Sequence, residues 1–446
     1  SEQIDNMASP ALRIRSISSR SIASLRSVTL RTASAPSLRL RCTPTSRPSS
    51  SWAAAVSSAS RLVEPDPNQP LINPLNLVGP EMSNLTSNIR SLLGSGHPSL
   101  DTVAKYYVQS EGKHIRPLMV LLMAQATEVA PKVQGWEKVV EVPVNEGLAP
   151  PEVLNDKNPD MMNMRSGPLT KDGEIEGQTS NILASQRRLA EITEMIHAAS
   201  LLHDDVIDAS ETRRNAPSGN QAFGNKMAIL AGDFLLGRAS VALARLRNPE
   251  VIELLATVIA NLVEGEFMQL KNTVDDAIEA TATQETFDYY LQKTYLKTAS
   301  LIAKSCRASA LLGGATPEVA DAAYAYGRNL GLAFQIVDDM LDYTVSATDL
   351  GKPAGADLQL GLATAPALFA WKHHAELGPM IKRKFSDPGD VERARELVEK
   401  SDGLEKTRAL AEEYAQKALD AIRTFPESPA RKALEQLTDK VLTRSR

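Results

Sequence analysis

Residues 185–208 read SQRRLAEITEMIHAASLLHDDVID. Apolar side chains recur three and four apart and neither proline nor glycine interrupts, so the stretch predicts a helix with an apolar face. On that helix Asp204 and Asp208 share a face, and His197 lies two turns before Asp204 along it. Asp205 is rotated from them by about 100°. The acids follow MIHAASLL with no lysine beside them, and like charges four residues apart repel. Something cationic has to compensate them.

The pattern occurs twice. Residues 331–343, GLAFQIVDDMLDY, again set Asp338, Asp339 and Asp342 on an apolar helix, with Gln335 one turn earlier on the same stripe. A single acidic cluster reads as easily as a solvated face; two, each ending an apolar helix, predict two clusters facing one cavity. Unit charges about 4 Å apart interact by roughly 4 kcal/mol at an effective dielectric of about 20. A hard divalent cation resolves that conflict. Carboxylate oxygens without histidine or cysteine suit Mg²⁺, which bridges protein carboxylates to substrate phosphates.

Basic residues supply the rest of a polyphosphate site. Arg213 and Arg214 follow the first cluster, Lys113 and Arg116 lie in EGKHIRP, Lys297 and Thr298 open a helix in YLKTAS, and Lys352 follows the second cluster. Arginine suits bidentate phosphate binding and lysine supplies a point charge. Each alone reads as a surface residue; together they suffice for two diphosphates.

Periodic apolar segments at 115–129, 184–208, 219–246, 249–272, 297–312, 317–343, 361–374 and 403–421 predict one large all-α body, since strand-type alternation is scarce. Residues 131–180, rich in proline, glycine, asparagine and aspartate, read as a surface insertion, because loops longer than about 15 residues seldom belong to a compact core. The first six letters, SEQIDN, spell a text label and are read as a scar (1–6) ahead of Met7. Residues 7–63 hold nine arginines, many serines, and no lysine or acid. That composition predicts a mitochondrial transit peptide, leaving 64–446 as the working domain.

Without the leader and scar, 40 basic and 52 acidic side chains remain, a net charge of −12 that argues against a nucleic-acid partner. No stretch approaches the roughly 18–20 uninterrupted apolar residues of a membrane span, so any membrane contact is expected to be peripheral. Cys42 falls in the leader and Cys306 stands alone, so the working domain has no disulfide and Cys306 reads as helix core.

LLHDDVIDASETRR and FQIVDDMLDYT resemble the two aspartate-rich motifs of trans-isoprenyl diphosphate synthases, and GKHIRP is similar to that family's Gly-Lys-x-x-Arg-Pro element. The pattern runs from about residue 83 onward in the family's order, and with GKPAGADLQLGLATAP and the insertion it looks closest to fungal mitochondrial long-chain members that make the ubiquinone tail. The resemblance implies the isoprenoid synthase fold, a helical bundle around an apolar cavity with two facing aspartate-rich helices. It implies Mg²⁺, up to about three ions per site. Asp204, Asp208 and Asp338 would hold the metal on the allylic diphosphate, supported by Asp205, Asp339 and Asp342. Arg213, Lys297, Thr298, Gln335 and Lys352 would contact the allylic substrate, farnesyl or geranylgeranyl diphosphate; Lys113, Arg116, His197 and Arg214 would hold isopentenyl diphosphate. Small residues at Ala199 and Ser200, below the first motif, imply a long product, hexaprenyl to decaprenyl. A homodimer or hetero-oligomer is implied.

Glu111, His114 and Leu362 depart from the family pattern. The competing readings are a non-catalytic partner subunit, which intact motifs disfavour, and a terpene cyclase, which the second motif and the Gly-Lys element disfavour. Without the resemblance, His197 reads as an ordinary core histidine.

Overall fold

The structure, a computed structural model, describes residues 73–109, 114–136, 143–154, 181–213, 216–270, 281–344 and 355–444. The scar, the leader, Lys113, Arg214, Lys352 and most of the 131–180 insertion lie outside the described residues.

The described residues form the expected all-α body. Its longer helices are α1 (Pro74–Leu92), α2 (Pro98–Gln109), α3 (Ile115–Glu128), α4 (Ala184–Ile207), α5 (Asn225–Ala244), α6 (Pro249–Leu270), α7 (Gln284–Thr294), α8 (Ser300–Leu312), α9 (Pro317–Thr344), α10 (Gly403–Ile422) and α11 (Pro429–Thr443). Short helices Ala356–Gln359, Ala365–Trp371, Leu377–Lys382 and Asp390–Glu399 link α9 to α10. The sheet among the described residues is an antiparallel ribbon, β1 (Thr212–Arg213) with β2 (Ala216–Pro217). Leu121, Leu122, Leu189, Ile192 and Met195 sit in the core where α3 and α4 meet, with α8 against both.

Two segments differ from the periodicity. The stretch 219–246 is broken at Gly224, whose φ of 82° ends the short helix Gly219–Phe223 and starts α5. The helix expected over 361–374 begins at Ala365, after Thr364 in extended backbone. Regularity also extends further than the apolar stripes showed: α7, a π-helical turn Tyr295–Ala299 and α8 run on without a break.

That π-helical turn is gripped by glycines. On α9, a Cβ at Gly331 would lie 2.7 Å from the Ala299 Cα and one at Gly327 would lie 2.8 Å from the Ala303 Cα. On α6, a Cβ at Gly265 would come 2.9 Å from the Lys297 nitrogen. The missing side chains of Gly331 and Gly265 thus let backbones meet at the turn that carries Lys297 and Thr298, and Gly327 does the same one turn on, in α8. A π-helical turn is uncommon and concentrates at functional sites.

The insertion is tied down where it is described. Lys132 pairs with Ala315 and donates to the carbonyls of Thr127 and Gly313 at 2.6 and 2.7 Å. Val144 is buried, and Asn145 accepts from Arg188 at 2.8 Å. Arg188 in turn pairs with buried Glu191 at 2.7 Å, and Asn88 donates to the same carboxylate. Burying a charge is tolerable on such terms.

By length and composition α5 is apolar enough to cross a membrane, with a mean hydropathy of 1.6. It carries Asp233 and Arg238 near its middle, the latter donating to the Gly94 carbonyl at 2.8 Å, and it packs on α4 as a body helix.

Candidate active site

Both acidic motifs lie toward helix C-termini. Asp204 and Asp205 occupy the last turn of α4 with Asp208 as its C-cap, and Asp342 lies in the last turn of α9. Carboxylates there face the negative end of the helix dipole, which disfavours them unless a cation is near.

Asp204 stands at an apolar cavity of about 340 Å³, lined also by Ser200, His203, Leu236, Leu262 and Glu266. Burial pushes its carboxyl up to about 6; Lys297 opposes the shift, while Glu266 and Asp208 add to it. Asp208 is raised by burial in the same way, again against the pull of Lys297. Lys297 itself pairs with Glu266 at 2.6 Å. A cation therefore already stands among three acids at the mouth of an apolar cavity.

Asp205 points elsewhere and is fully buried. Arg213 grips it in bidentate fashion, Nε to Oδ1 at 2.8 Å and Nη2 to Oδ1 at 2.6 Å, with Nε also 3.0 Å from Oδ2. The chain reverses after α4 through Ala209, at φ 50°, and the ribbon carries Arg213 back over the helix end. The Tyr107 hydroxyl donates to Asp205 Oδ2.

In the second motif, Asp339 is the buried member. It accepts from Tyr290 at 2.7 Å and from Gln335 at 2.8 Å, and Gln335 accepts from Thr298 at 2.9 Å. Burial raises its carboxyl to about 6, opposed first by those two bonds. Asp342 accepts from the backbone nitrogens of Ala356 and Asp357 at 3.2 and 3.1 Å, and its own carbonyl accepts from Gly355 at 3.1 Å. It thereby ties the end of α9 to the start of the helix Ala356–Gln359. Asp338 pairs with Arg444.

The π-helical turn joins the motifs: Lys297 serves Asp204 and Glu266, and Thr298 serves Gln335 and Asp339. Arg116 and His197 come together, Nη1 and Nε2 being 3.0 Å apart. His114, in left-handed backbone at φ 42°, places Nδ1 3.0 Å from Glu194. The pair expected at the cavity floor divides. Ser200 lines the cavity, whereas Ala199 is fully buried and lies off its wall, because residues one apart on a helix face different ways.

Asp338 does not join Asp204 and Asp208 in a cage, and no cluster of three metal-ligating side chains occurs among the described residues. The donor set still fits Mg²⁺. It is all oxygen, its carboxylates are desolvated and mutually repelling, and Mg²⁺ takes only one or two carboxylates when phosphate oxygens and water complete its shell. Sequence reasoning missed Glu266, Tyr107, Tyr290 and Arg444. Glu266 gave no distinct signal, since its helix also carries Glu250, Glu253 and Glu264; the tyrosines and Arg444 gave none either, since their roles come from tertiary contacts.

A family model described as polyprenyl synthetase matches residues 164–398, which include both acidic motifs and the π-helical turn. The chain belongs to the polyprenyl synthetase family. Among its polyprenyl synthetase relatives, a Neurospora crassa protein named as a probable mitochondrial hexaprenyl pyrophosphate synthase is 60% identical, over 90% of each chain. The Saccharomyces cerevisiae mitochondrial hexaprenyl pyrophosphate synthase is 48% identical over 89% of this chain and 95% of its own. Of solved structures, the Caulobacter crescentus polyprenyl synthase complexed with calcium and isoprenyl diphosphate matches with a TM-score of 0.65 at 29% identity, covering 84% of this chain and 98% of that one.

Proposed function

We propose that the protein is a mitochondrial, Mg²⁺-dependent long-chain polyprenyl diphosphate synthase, extending farnesyl or geranylgeranyl diphosphate with successive isopentenyl diphosphates toward the ubiquinone side chain. The observation that carries this is the junction of charge and grease at Asp204: Lys297, Glu266 and Asp208 surround it, and the cavity below is apolar. A diphosphate belongs at the mouth and a growing hydrocarbon in the cavity. The resemblance to mitochondrial hexaprenyl synthases supports the product class and the compartment.

Asp204 and Asp208 would hold Mg²⁺, with Asp338 joining when it leaves Arg444. When bound, the metal neutralises charge building on the departing diphosphate. Lys297, Thr298, Gln335 and Arg213 orient that diphosphate, and Arg116, His197, Lys113 and Arg214 hold isopentenyl diphosphate. As the allylic carbon–oxygen bond breaks, both electrons leave with pyrophosphate, and these donors stabilise it electrostatically. The isopentenyl double bond then attacks the allylic cation, and a proton lost to the released pyrophosphate restores an allylic product.

Exposed apolar side chains Ile229 and Leu230 on α5 and Val263, Phe267 and Leu270 on α6, all but Leu230 also lining the cavity at Asp204, support self-association across the open side of that cavity. Sedimentation of the purified protein tests it: a dimer is expected and a monomer overturns it.

The activity is tested by incubating the chain from Glu64 onward with Mg²⁺, farnesyl diphosphate and labelled isopentenyl diphosphate, then resolving the dephosphorylated products by length. One long polyprenol, absent from the Asp204→Ala variant, is expected. A folded, Mg²⁺-replete protein that makes no product overturns the reading and points to a partner-dependent subunit.

A further inference from the structure

Tyr107 lies outside both acidic motifs, yet its hydroxyl is the meeting point of three elements. It extends from the end of α2, donates to buried Asp205 at the end of α4, and accepts from the Gly219 backbone nitrogen at 2.7 Å beyond the ribbon. Its neighbour Tyr106 reinforces the hold, donating to the Pro217 carbonyl at 2.8 Å and meeting the Phe223 ring edge-on at 5.1 Å. A Cβ on Gly219 would stand 2.8 Å from Leu202 and 3.5 Å from the Tyr107 hydroxyl, so this approach depends on glycine.

Asp205 has two oxygens and no exposure, so its direction is fixed by what it accepts. Arg213 supplies donors through Nε and Nη2; Nη1 takes no part in that pairing. A planar guanidinium gripped along one edge presents the other edge in a fixed direction. Without the tyrosine, one carboxylate oxygen loses its neutral donor and the Gly219 nitrogen loses its acceptor, and Asp205 can swing with Arg213 attached.

We infer that Tyr107 is a positioning residue for the allylic diphosphate, aiming the free edge of Arg213 at it through Asp205. This rests on the synthase reading and adds to it a residue that touches no substrate.

Tyr107→Phe keeps the ring and removes only the hydroxyl. The inference expects the KM for farnesyl diphosphate to rise about tenfold, the worth of one hydrogen bond to a charged group, with the KM for isopentenyl diphosphate unchanged. In an Arg213→Lys background, where the fork is already gone, Tyr107→Phe should add little, because residues acting through one contact are not additive. A thermal melt of each variant accompanies the kinetics. Equal effects on both substrates, an unchanged farnesyl KM, or multiplicative effects with Arg213→Lys overturn the inference. Wild-type protein that neither elongates nor binds farnesyl diphosphate by calorimetry overturns the synthase reading, and the inference with it.

Discussion

The Arg444 guanidinium lies on the Phe334 ring, its carbon 3.9 Å from the ring centroid, and bonds both the Phe334 carbonyl and the Asp338 carboxylate. The segment after α11 thus neutralises the first acid of the second motif. Burial lowers the arginine's pKa, opposed by Asp338, so the contact is a desolvated one. A divalent cation reaching Asp338 has to displace it. Arg444→Ala is expected to lower the Mg²⁺ concentration for half-maximal activity several-fold, while costing about 1–3 kcal/mol of stability from lost packing and pairing. An unchanged or higher Mg²⁺ concentration for half-maximal activity would refute the competition.

How far the sequence reached differs from one residue to the next. The helical body and its acidic ends were legible because apolar spacing and clustered charge are local patterns. The roles within each motif were legible only in outline. Helix rotation set Asp205 apart and the family resemblance implied supporting roles for Asp205 and Asp339, but what holds these two buried members, Tyr107, Arg213, Tyr290 and Gln335, is brought in by tertiary contact. Ala199 and Ser200 read as one floor because both are small; the helix turn separates them. Arg444 was invisible, since a lone arginine far along the chain carries no sign of the carboxylate it meets.

Gly331 offers a test of how packing sets the site. A methyl there meets the Ala299 Cα at 2.7 Å, and backbone cannot step aside as a side chain can. Gly331→Ala is expected to destabilise by about 1–3 kcal/mol, the usual penalty of overpacking. It should also cost more activity than stability accounts for, because the displaced turn carries Lys297 and Thr298. Denaturant unfolding with kcat measured well below the transition separates the two effects. A destabilised variant with wild-type kcat would show that the turn's position is not critical.

Product length provides another. Ser200 lines the cavity one turn below Asp204, whereas Ala199 is packed in the core. Ser200→Phe should shorten the main product by several isoprene units while leaving the melting temperature nearly unchanged. Ala199→Phe should chiefly destabilise, by about 1–3 kcal/mol from overpacking. Chromatography of the dephosphorylated products checks both, and an unaltered length in Ser200→Phe would remove this wall from the account of chain length.

Metal binding should be coupled to protons at Asp204. Burial raises this carboxyl from its ordinary 3.8 to about 6, against the pull of Lys297. The folded state therefore holds the proton more tightly than the unfolded chain, and in metal-free protein stability falls as pH rises from about 4 to about 6 through this group. A divalent cation binds the carboxylate alone, so below about pH 6 its uptake must expel a proton, and its apparent affinity should weaken by up to about tenfold per pH unit there. Calorimetric titration of Mg²⁺ with a diphosphate analogue, in two buffers of different ionisation enthalpy, reads the protons released. Release is expected near pH 5.5, little near pH 7.5, and markedly less at the lower pH in Asp204→Asn. Equal release at both pH values would mean that Asp204 is already ionised before the metal arrives, with Lys297 outweighing its burial.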